Sequence, residues 1–298
     1  MSPQSILTQE DKEHFLTHGW IKKVPCITSG HAVIANAFTK EQAESVTKNV
    51  WTRLGMSETD KSTWTRLRTN MPFHFTFDAS EFAPRAWAAI CELSGGEERV
   101  TPHSKIWKDS LIVNLGSVEA EGKPVRPQDL DGWHVDGDFF VHYLDRPEQG
   151  LLVTPLFTNI APNAGGTVIC PEAIPKMAKH LYEHPEGFNN LTRGCSHFVE
   201  ATGQVSDVYL FHPLMLHSAS TNAVRNVRII TNPPVSLNQP FCFNRPDGNY
   251  SLVEQVTLRA LGKDRLEDWG IAAAREQRMK LKELQRLKEL AEKRSAAA

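Results

Sequence analysis

Short β-branched runs separated by turn residues begin at about residue 106 and constrain this chain more than any other feature. Residues 111–115, 151–160, 167–170, 208–211 and 227–231 each have the length and side-chain types of a strand, with Gly, Pro, Asn or Asp between them. Their irregular spacing and the absence of an internal repeat exclude propellers and solenoids. They predict a β-sandwich or barrel core over about 106–234, with one helical insertion at 173–182. At 298 residues and 40% hydrophobic, the chain is long enough to bury such a core.

Helices are expected on both sides of it. Thr8 with Asp11 reads as a cap, and Gly19 as the left-handed residue closing a first helix. Thr39 and Gln42 form a second capping pattern, Ala43, Val46, Val50 and Leu54 recur at helical spacing, and Gly55 closes that helix. A third is expected over 80–93, ending at Gly95 and Gly96, and a fourth from about Leu252, after a loop that follows Pro234. Residues 272–294 are almost pure helix former with charges of both signs. Their leucines, Leu281, Leu284, Leu287 and Leu290, step by three and so drift around a helix instead of forming one seam. The chain divides into a domain at 1–265 and a C-terminal charged amphipathic helix at 266–298, which docks on the body or serves a homo-oligomer.

Charge and cysteine usage narrow the partners. With 33 basic and 35 acidic residues the net charge is −2, which lacks the electrostatic footprint that nucleic acid or anionic lipid requires. No run approaches the roughly 18 apolar residues of a membrane span, and the first residues lack a signal-peptide layout, so the expected location is cytoplasmic. The 5 cysteines are scattered, odd in number and never in a C-x-x-C pair. Reduced, packed thiols are expected.

The chemistry concentrates in Gly132-Trp133-His134-Val135-Asp136-Gly137-Asp138. On a strand His134 and Asp136 share a face and can offer one metal an imidazole and a carboxylate, while Val135 points away. Asp138 would share that face if the strand continued, but Gly137 suggests a turn. A third ligand is sought downstream in Phe211-His212-Pro213-Leu214-Met215-Leu216-His217-Ser218. His217, between an apolar strand and a polar run, suits the mouth of a barrel, and His212 beside Pro213 suits a local packing role. His142 and His197 have no spacing partner and read as surface or loop residues. Arg228, inside an apolar strand, must meet an anion or be costly to bury. Two histidines and one carboxylate leave open positions on iron(II), and an arginine deeper in the barrel can hold the far carboxylate of an oxoacid. Phe139 and Phe140 read as core or as the lining of a substrate pocket.

Taken together, these segments resemble the phytanoyl-CoA dioxygenase-like family of Fe(II)/2-oxoglutarate-dependent oxygenases. The resemblance runs from the opening LTQEDKEHFLTHGW to roughly Pro234 and rests on His134-Val135-Asp136, the block from Asn163 to Pro171, FHPLMLHS at 211–218 and Arg228, in that order and spacing. Two departures stand out: Asp131 where many members have glutamine, and Glu172-Ala173-Ile174 where a small-polar-His ending is usual. The resemblance implies a double-stranded β-helix, a jelly-roll barrel of cupin type, in a mainly β chain with flanking helices. It implies that His134, Asp136 and His217 bind Fe(II), that Arg228 pairs with the distal carboxylate of 2-oxoglutarate, and that Thr167 also contacts this cosubstrate.

The activity implied is oxidative decarboxylation of 2-oxoglutarate to succinate and CO2 with O2, coupled to hydroxylation, desaturation or ring closure of a small or medium, largely apolar molecule, with ascorbate as a supporting reductant. Asp136 argues against halogenating variants, which leave the carboxylate position to a halide. Two other classes stay open: a cosubstrate-independent cupin-like metalloenzyme, disfavoured by Arg228 and Thr167, and a non-enzymatic scaffold that keeps the fold.

Overall fold

Capping chemistry sets the helix ends in the computed structural model, which describes residues 5–21, 34–137, 142–184 and 196–271. In chain order the helices are α1 (Gln9–His18), α2 (Lys40–Thr47), α3 (Val50–Leu54), α4 (Ala79–Phe82), α5 (Pro84–Ser94), α6 (Ala173–Glu183) and α7 (Leu252–Leu261). Thr8 accepts from Asp11 N–H while Asp11 accepts from Thr8 N–H, and Gly19 closes α1 at φ 71°. Thr39 and Gln42 repeat the reciprocal pair at α2. Two helices expected to be continuous are each divided. Residues 40–54 break at Lys48 and Asn49, where Asn49 leaves helical geometry. Residues 79–94 break at Ala83 (φ −137°, ψ 61°), because the residue before Pro84 is driven out of the helical region while Pro84 itself suits a helix start.

The strands are β1 (Trp20–Ile21), β2 (Arg68–Asn70), β3 (Thr76–Asp78), β4 (Ile106–Lys108), β5 (Ile112–Asn114), β6 (Leu151–Pro155), β7 (Thr167–Cys170), β8 (Val199–Glu200), β9 (Val208–Phe211), β10 (Leu216–Ala219), β11 (Arg228–Ile230) and β12 (Pro234–Val235). They pair antiparallel in sheets of order β1-β9-β6-β12, β10-β7-β8, β11-β5-β2 and β3-β4. Hydrogen bonds among the described residues do not close these sheets into a barrel. The architecture is mixed helix and sheet: among the described residues α-helix exceeds strand, which corrects the expectation of a mainly β chain. Strand length is the reason, since proline and turn residues cut the β-branched runs into pieces of 2 to 5 residues.

Buried Phe15, Trp107, Leu115, Leu156, Tyr209 and Met215 belong to one apolar core that runs between the sheets and helices. α7 packs against α1, α5 and α6. Past residue 265 the chain stays in contact with the body: Leu266 is buried and Trp269 Nε1 donates to Tyr182 O at 3.3 Å. The tail expected to be helical over 272–294, Cys26, Cys195, Asp138, Phe139 and Phe140 lie outside the described residues. Cys170, buried at the end of β7, is disulfide-bonded, which corrects the expectation of reduced thiols there; Cys91 and Cys242 are free.

At the start of α7, Glu254 is fully buried and accepts from Arg99, Arg245 and the N–H groups of Cys242 and Ser251. Burial alone would raise its pKa, but hydrogen bonds from Arg245 and Arg99 outweigh that and hold it lowered. A depressed folded pKa contributes stability that is complete above the unfolded glutamate value of about 4.3 and is lost as pH falls through the folded value. Glu254→Gln is expected to cost about 2–3 kcal/mol in urea unfolding at pH 7, less than a fully buried pair because both arginines are partly solvated. The deficit should shrink as the pH is lowered below 4; a pH-independent deficit, or none, would contradict this account.

Candidate metal centre

The segment from Trp133 to Asp136 alternates as its sequence predicts. Trp133 and Val135 pack on Cys170, Ala173 and Leu216, and the Trp133 ring meets Phe198 at 5.2 Å. His134 and Asp136 therefore face the other way, into a cavity. His134 pairs with His217 in antiparallel fashion, each backbone N–H donating to the other's carbonyl at 2.9 Å. Directly opposed residues of such a pair project from one face, so the two imidazoles meet, with ring centroids 4.3 Å apart.

His217 sits inside β10, not after an apolar strand as the sequence suggests. A turn in which Met215 N–H donates to His212 O at 2.9 Å, with Pro213 within it, carries the chain from β9 in one sheet to β10 in another. Asp136 Oδ1 lies 3.3 Å from His134 Nε2 and 3.5 Å from His217 Nε2. One ligand atom from each of the three residues falls within 4.8 Å of the others.

The donor set fits a divalent transition metal. His134 Nδ1 donates to Gly132 O at 2.7 Å and His217 Nδ1 to Met215 O at 3.0 Å, which leaves both Nε2 atoms directed at Asp136 as ligand atoms. Without a metal, the contact with Asp136 raises the pKa of His134. Burial alone would raise that of Asp136, but hydrogen bonds from His134 and His217 prevail and lower it well below the carboxylate range. A metal takes the Nε2 lone pairs, and two imidazoles with one carboxylate suit iron(II), manganese(II) or zinc.

Competing ligands are placed elsewhere. His212 is fully buried; its Nδ1 accepts from Leu214 N–H at 3.2 Å, and its Nε2 faces Val253 O at 3.2 Å and Thr257 Oγ1 at 3.1 Å. Burial pushes its pKa down to about 3, so it is a neutral core histidine. His142 is also buried, which corrects the surface assignment: its ring meets the Arg146 guanidinium. His197 is exposed, as expected. Arg146, missed in the sequence because an arginine in a loop carries no periodic signal, donates to Asp136 O at 3.4 Å and Pro213 O at 3.3 Å. It ties together the two segments that carry the triad.

A cavity of about 490 Å³ holds the triad, Thr167 and Arg228 in one lining. Thr167 begins β7 opposite Ala219, two residues beyond His217 on β10. The turn before it needs glycine: Gly165 has φ 81°, and a Cβ there would meet Asn114 Nδ2 at 2.5 Å. Glu200 accepts from Asn163 N–H and Gly166 N–H, fixing the same turn. Arg228 is 2% exposed on β11, and its Nη2 donates to Thr167 Oγ1 at 3.3 Å. Its Nε has no hydrogen-bond partner and it makes no ion pair among the described residues. Burial, with help from Arg68, pushes its pKa down to about 9, so it remains a cation at neutral pH.

No family model matches this chain, and no curated protein matches it. Among solved structures it is similar to EctD from S. alaskensis with bound Fe, at 14% identity over 83% of this chain and 84% of that one, with a TM-score of 0.45. It is similar to the apo form of the non-heme monooxygenase ThoJ, at 16% identity over 84% and 93% of the two chains, with a TM-score of 0.44. The non-heme alpha ketoglutarate dependent carbocyclase SnoK from nogalamycin biosynthesis follows at 14% identity, 80% and 87% coverage and a TM-score of 0.40.

The structure thus gathers His134, Asp136, His217, Thr167 and Arg228 around one cavity. It adds Arg68 and Asn70, which carry no signal in the sequence because Arg-Thr-Asn on a three-residue strand has no apolar alternation. Among the described residues no helix is long and apolar enough to cross a membrane.

Proposed function

We propose that this chain is an Fe(II)- and 2-oxoglutarate-dependent oxygenase acting on a small organic molecule, with an oxygenase domain over residues 1–265 whose double-stranded β-helix core spans about 106–234, and a charged helix over 272–294; residues 266–271, expected to begin that helix, are not helical. One observation supports this reading above the others: a buried arginine without a carboxylate partner among the described residues lines the same cavity as a His-Asp-His cluster whose ligand atoms converge. A buried, unpaired guanidinium is costly and calls for an anion; a carboxylate held by its planar fork repays the cost.

His134 and His217 would hold the metal through Nε2, with their Nδ1–H groups anchored on Gly132 O and Met215 O so that neither ring can turn away. Asp136 would supply the carboxylate, and Arg146 holds its backbone. Arg228, steadied by Thr167, would take the C5 carboxylate of 2-oxoglutarate. Bound iron and cosubstrate supply the oxidising chemistry, in which 2-oxoglutarate and O2 yield succinate, CO2 and an oxidised substrate. The protein's share is orientation and exclusion of water; Ile112, Leu152, Val153, Phe211 and Ile230 give the cavity apolar walls suited to a largely apolar substrate.

The test is succinate release with iron(II), 2-oxoglutarate, O2 and ascorbate across a panel of acids, phosphate esters and neutral apolar compounds, with product mass read in parallel. Iron- and 2-oxoglutarate-dependent succinate, matched by a substrate that gains oxygen or loses hydrogen, is expected. Substrate conversion that proceeds equally without 2-oxoglutarate would replace this reading with a cosubstrate-independent metalloenzyme.

A further inference from the structure

Arg68 and Arg228 occupy equivalent positions on either side of β5. In the sheet β11-β5-β2, Arg228 is the partner of Asn114 on one side and Arg68 is its partner on the other. Residues aligned in this way point to one face, and two strand spacings place their Cα atoms roughly 10 Å apart. That face is the cavity wall: Arg68 and Asn70 of β2, Ile112 of β5, and Arg228 and Ile230 of β11 all line it.

The two cations differ in what surrounds them. Arg228 is buried and braced by Thr167, whereas Arg68 is exposed and makes no side-chain hydrogen bond or ion pair among the described residues. Glu148, an acid of the same lining, is also unpaired with Arg68. Two guanidiniums on one wall repel each other, and the Arg68 charge is felt at both Arg228 and His134. A single dicarboxylate does not neutralise both. With one end of 2-oxoglutarate on Arg228 and the other assigned to the metal, no charge is left for Arg68.

We propose that Arg68 is a second oxyanion site in this cavity and receives a carboxylate or phosphate carried by the substrate, an inference that rests on the oxygenase reading above. The substrate class is an organic anion with an apolar body: the body lies along Ile112 and Ile230, and the charged group meets the Arg68 fork and the Asn70 amide at the solvent side. A guanidinium fits either oxyanion through two parallel N–H donors.

The experiment uses full-length protein loaded with manganese(II) and 2-oxoglutarate, which reports binding without turnover. Aliphatic and aryl carboxylic acids with their methyl esters, and monoalkyl phosphates with their parent alcohols, are titrated by calorimetry into wild type, Arg68→Gln and Arg68→Lys. Wild type is expected to bind acids or phosphates at least about tenfold more tightly than their neutral partners. The acid and phosphate arms show which oxyanion is taken. Arg68→Gln should bring that ratio close to one, and Arg68→Lys should restore part of it. The proposal is overturned if no anion of the panel binds, if neutral partners bind equally well, or if Arg68→Gln keeps the preference. A fall in 2-oxoglutarate affinity in Arg68→Gln as large as that of Arg228→Ala also overturns it, by assigning Arg68 to the cosubstrate. Failure of the oxygenase reading looks different: wild type would then show no 2-oxoglutarate binding at all.

Discussion

Replacing Arg228 with alanine is expected to weaken 2-oxoglutarate binding by roughly 30-fold or more while leaving metal binding near wild type. Arg228 is 2% exposed, and among the described residues its Nε has no partner while its Nη1 and Nη2 reach only neutral oxygens, Ile112 O at 3.5 Å and Thr167 Oγ1 at 3.3 Å. A carboxylate arriving there gains a charge-assisted pair in a mostly dry wall, and removing the guanidinium strands that carboxylate. Truncating one side of such a pair typically costs about 2–5 kcal/mol, and about 1.4 kcal/mol corresponds to tenfold in affinity. Arg228→Lys should recover only part of the loss, since an ammonium offers a point charge without the planar fork. Calorimetry of 2-oxoglutarate on manganese-loaded protein gives the comparison. The apo variant should be at least as stable as wild type, because an unpaired buried cation is removed. Equal affinities in wild type and Arg228→Ala would detach this arginine from the cosubstrate.

The second large effect concerns the triad. His217→Ala should lower iron(II) affinity by more than about 100-fold, beyond the range seen when only an outer partner of a metal ligand is lost. Asp136→Gly should abolish turnover, because it removes the carboxylate that, among the described residues, faces both imidazoles. Far-UV circular dichroism should stay unchanged in both, since neither side chain belongs to the apolar core. His212→Gln serves as the contrast. Its ring is bonded to Leu214 N–H and faces Val253 and Thr257 on α7, so the variant should lose stability and keep its iron. Unchanged iron binding in His217→Ala, or its loss in His212→Gln, would move the third ligand and dissolve the triad.

Where a local rule decides the outcome, the sequence is legible. Alternation across Trp133, His134, Val135 and Asp136 sends the aromatic and the valine to the core and His134 and Asp136 to the cavity. Reciprocal capping at Thr8 and Asp11 and at Thr39 and Gln42 places two helix starts. The Ser251-to-Glu254 spacing carries the same signal, and the structure adds two arginines to it that come from distant segments. What stays hidden depends on contacts far apart in the chain or on very short elements. The pairing of His134 with His217 joins an isolated bridge to a strand of 4 residues, and Pro213 disguises that strand as the end of the preceding one. Arg68 becomes visible only through its register with Asn114, and Arg146 only through the carbonyls it spans. The mixed helix and sheet content is not legible in the sequence because turn residues shorten every β-branched run.

The proposed chemistry requires one cavity to hold a three-residue metal site and a cosubstrate oxoacid together. Anaerobic titration of 2-oxoglutarate into the iron(II)-loaded wild-type protein tests it most directly, through the visible charge-transfer absorption that appears when an oxoacid chelates iron(II) through its carboxylate and keto oxygens. The account predicts a saturable band at one 2-oxoglutarate per iron, absent when succinate replaces the oxoacid and shifted to much higher concentration in Arg228→Ala. Iron bound at full occupancy with no band at any 2-oxoglutarate concentration would contradict it.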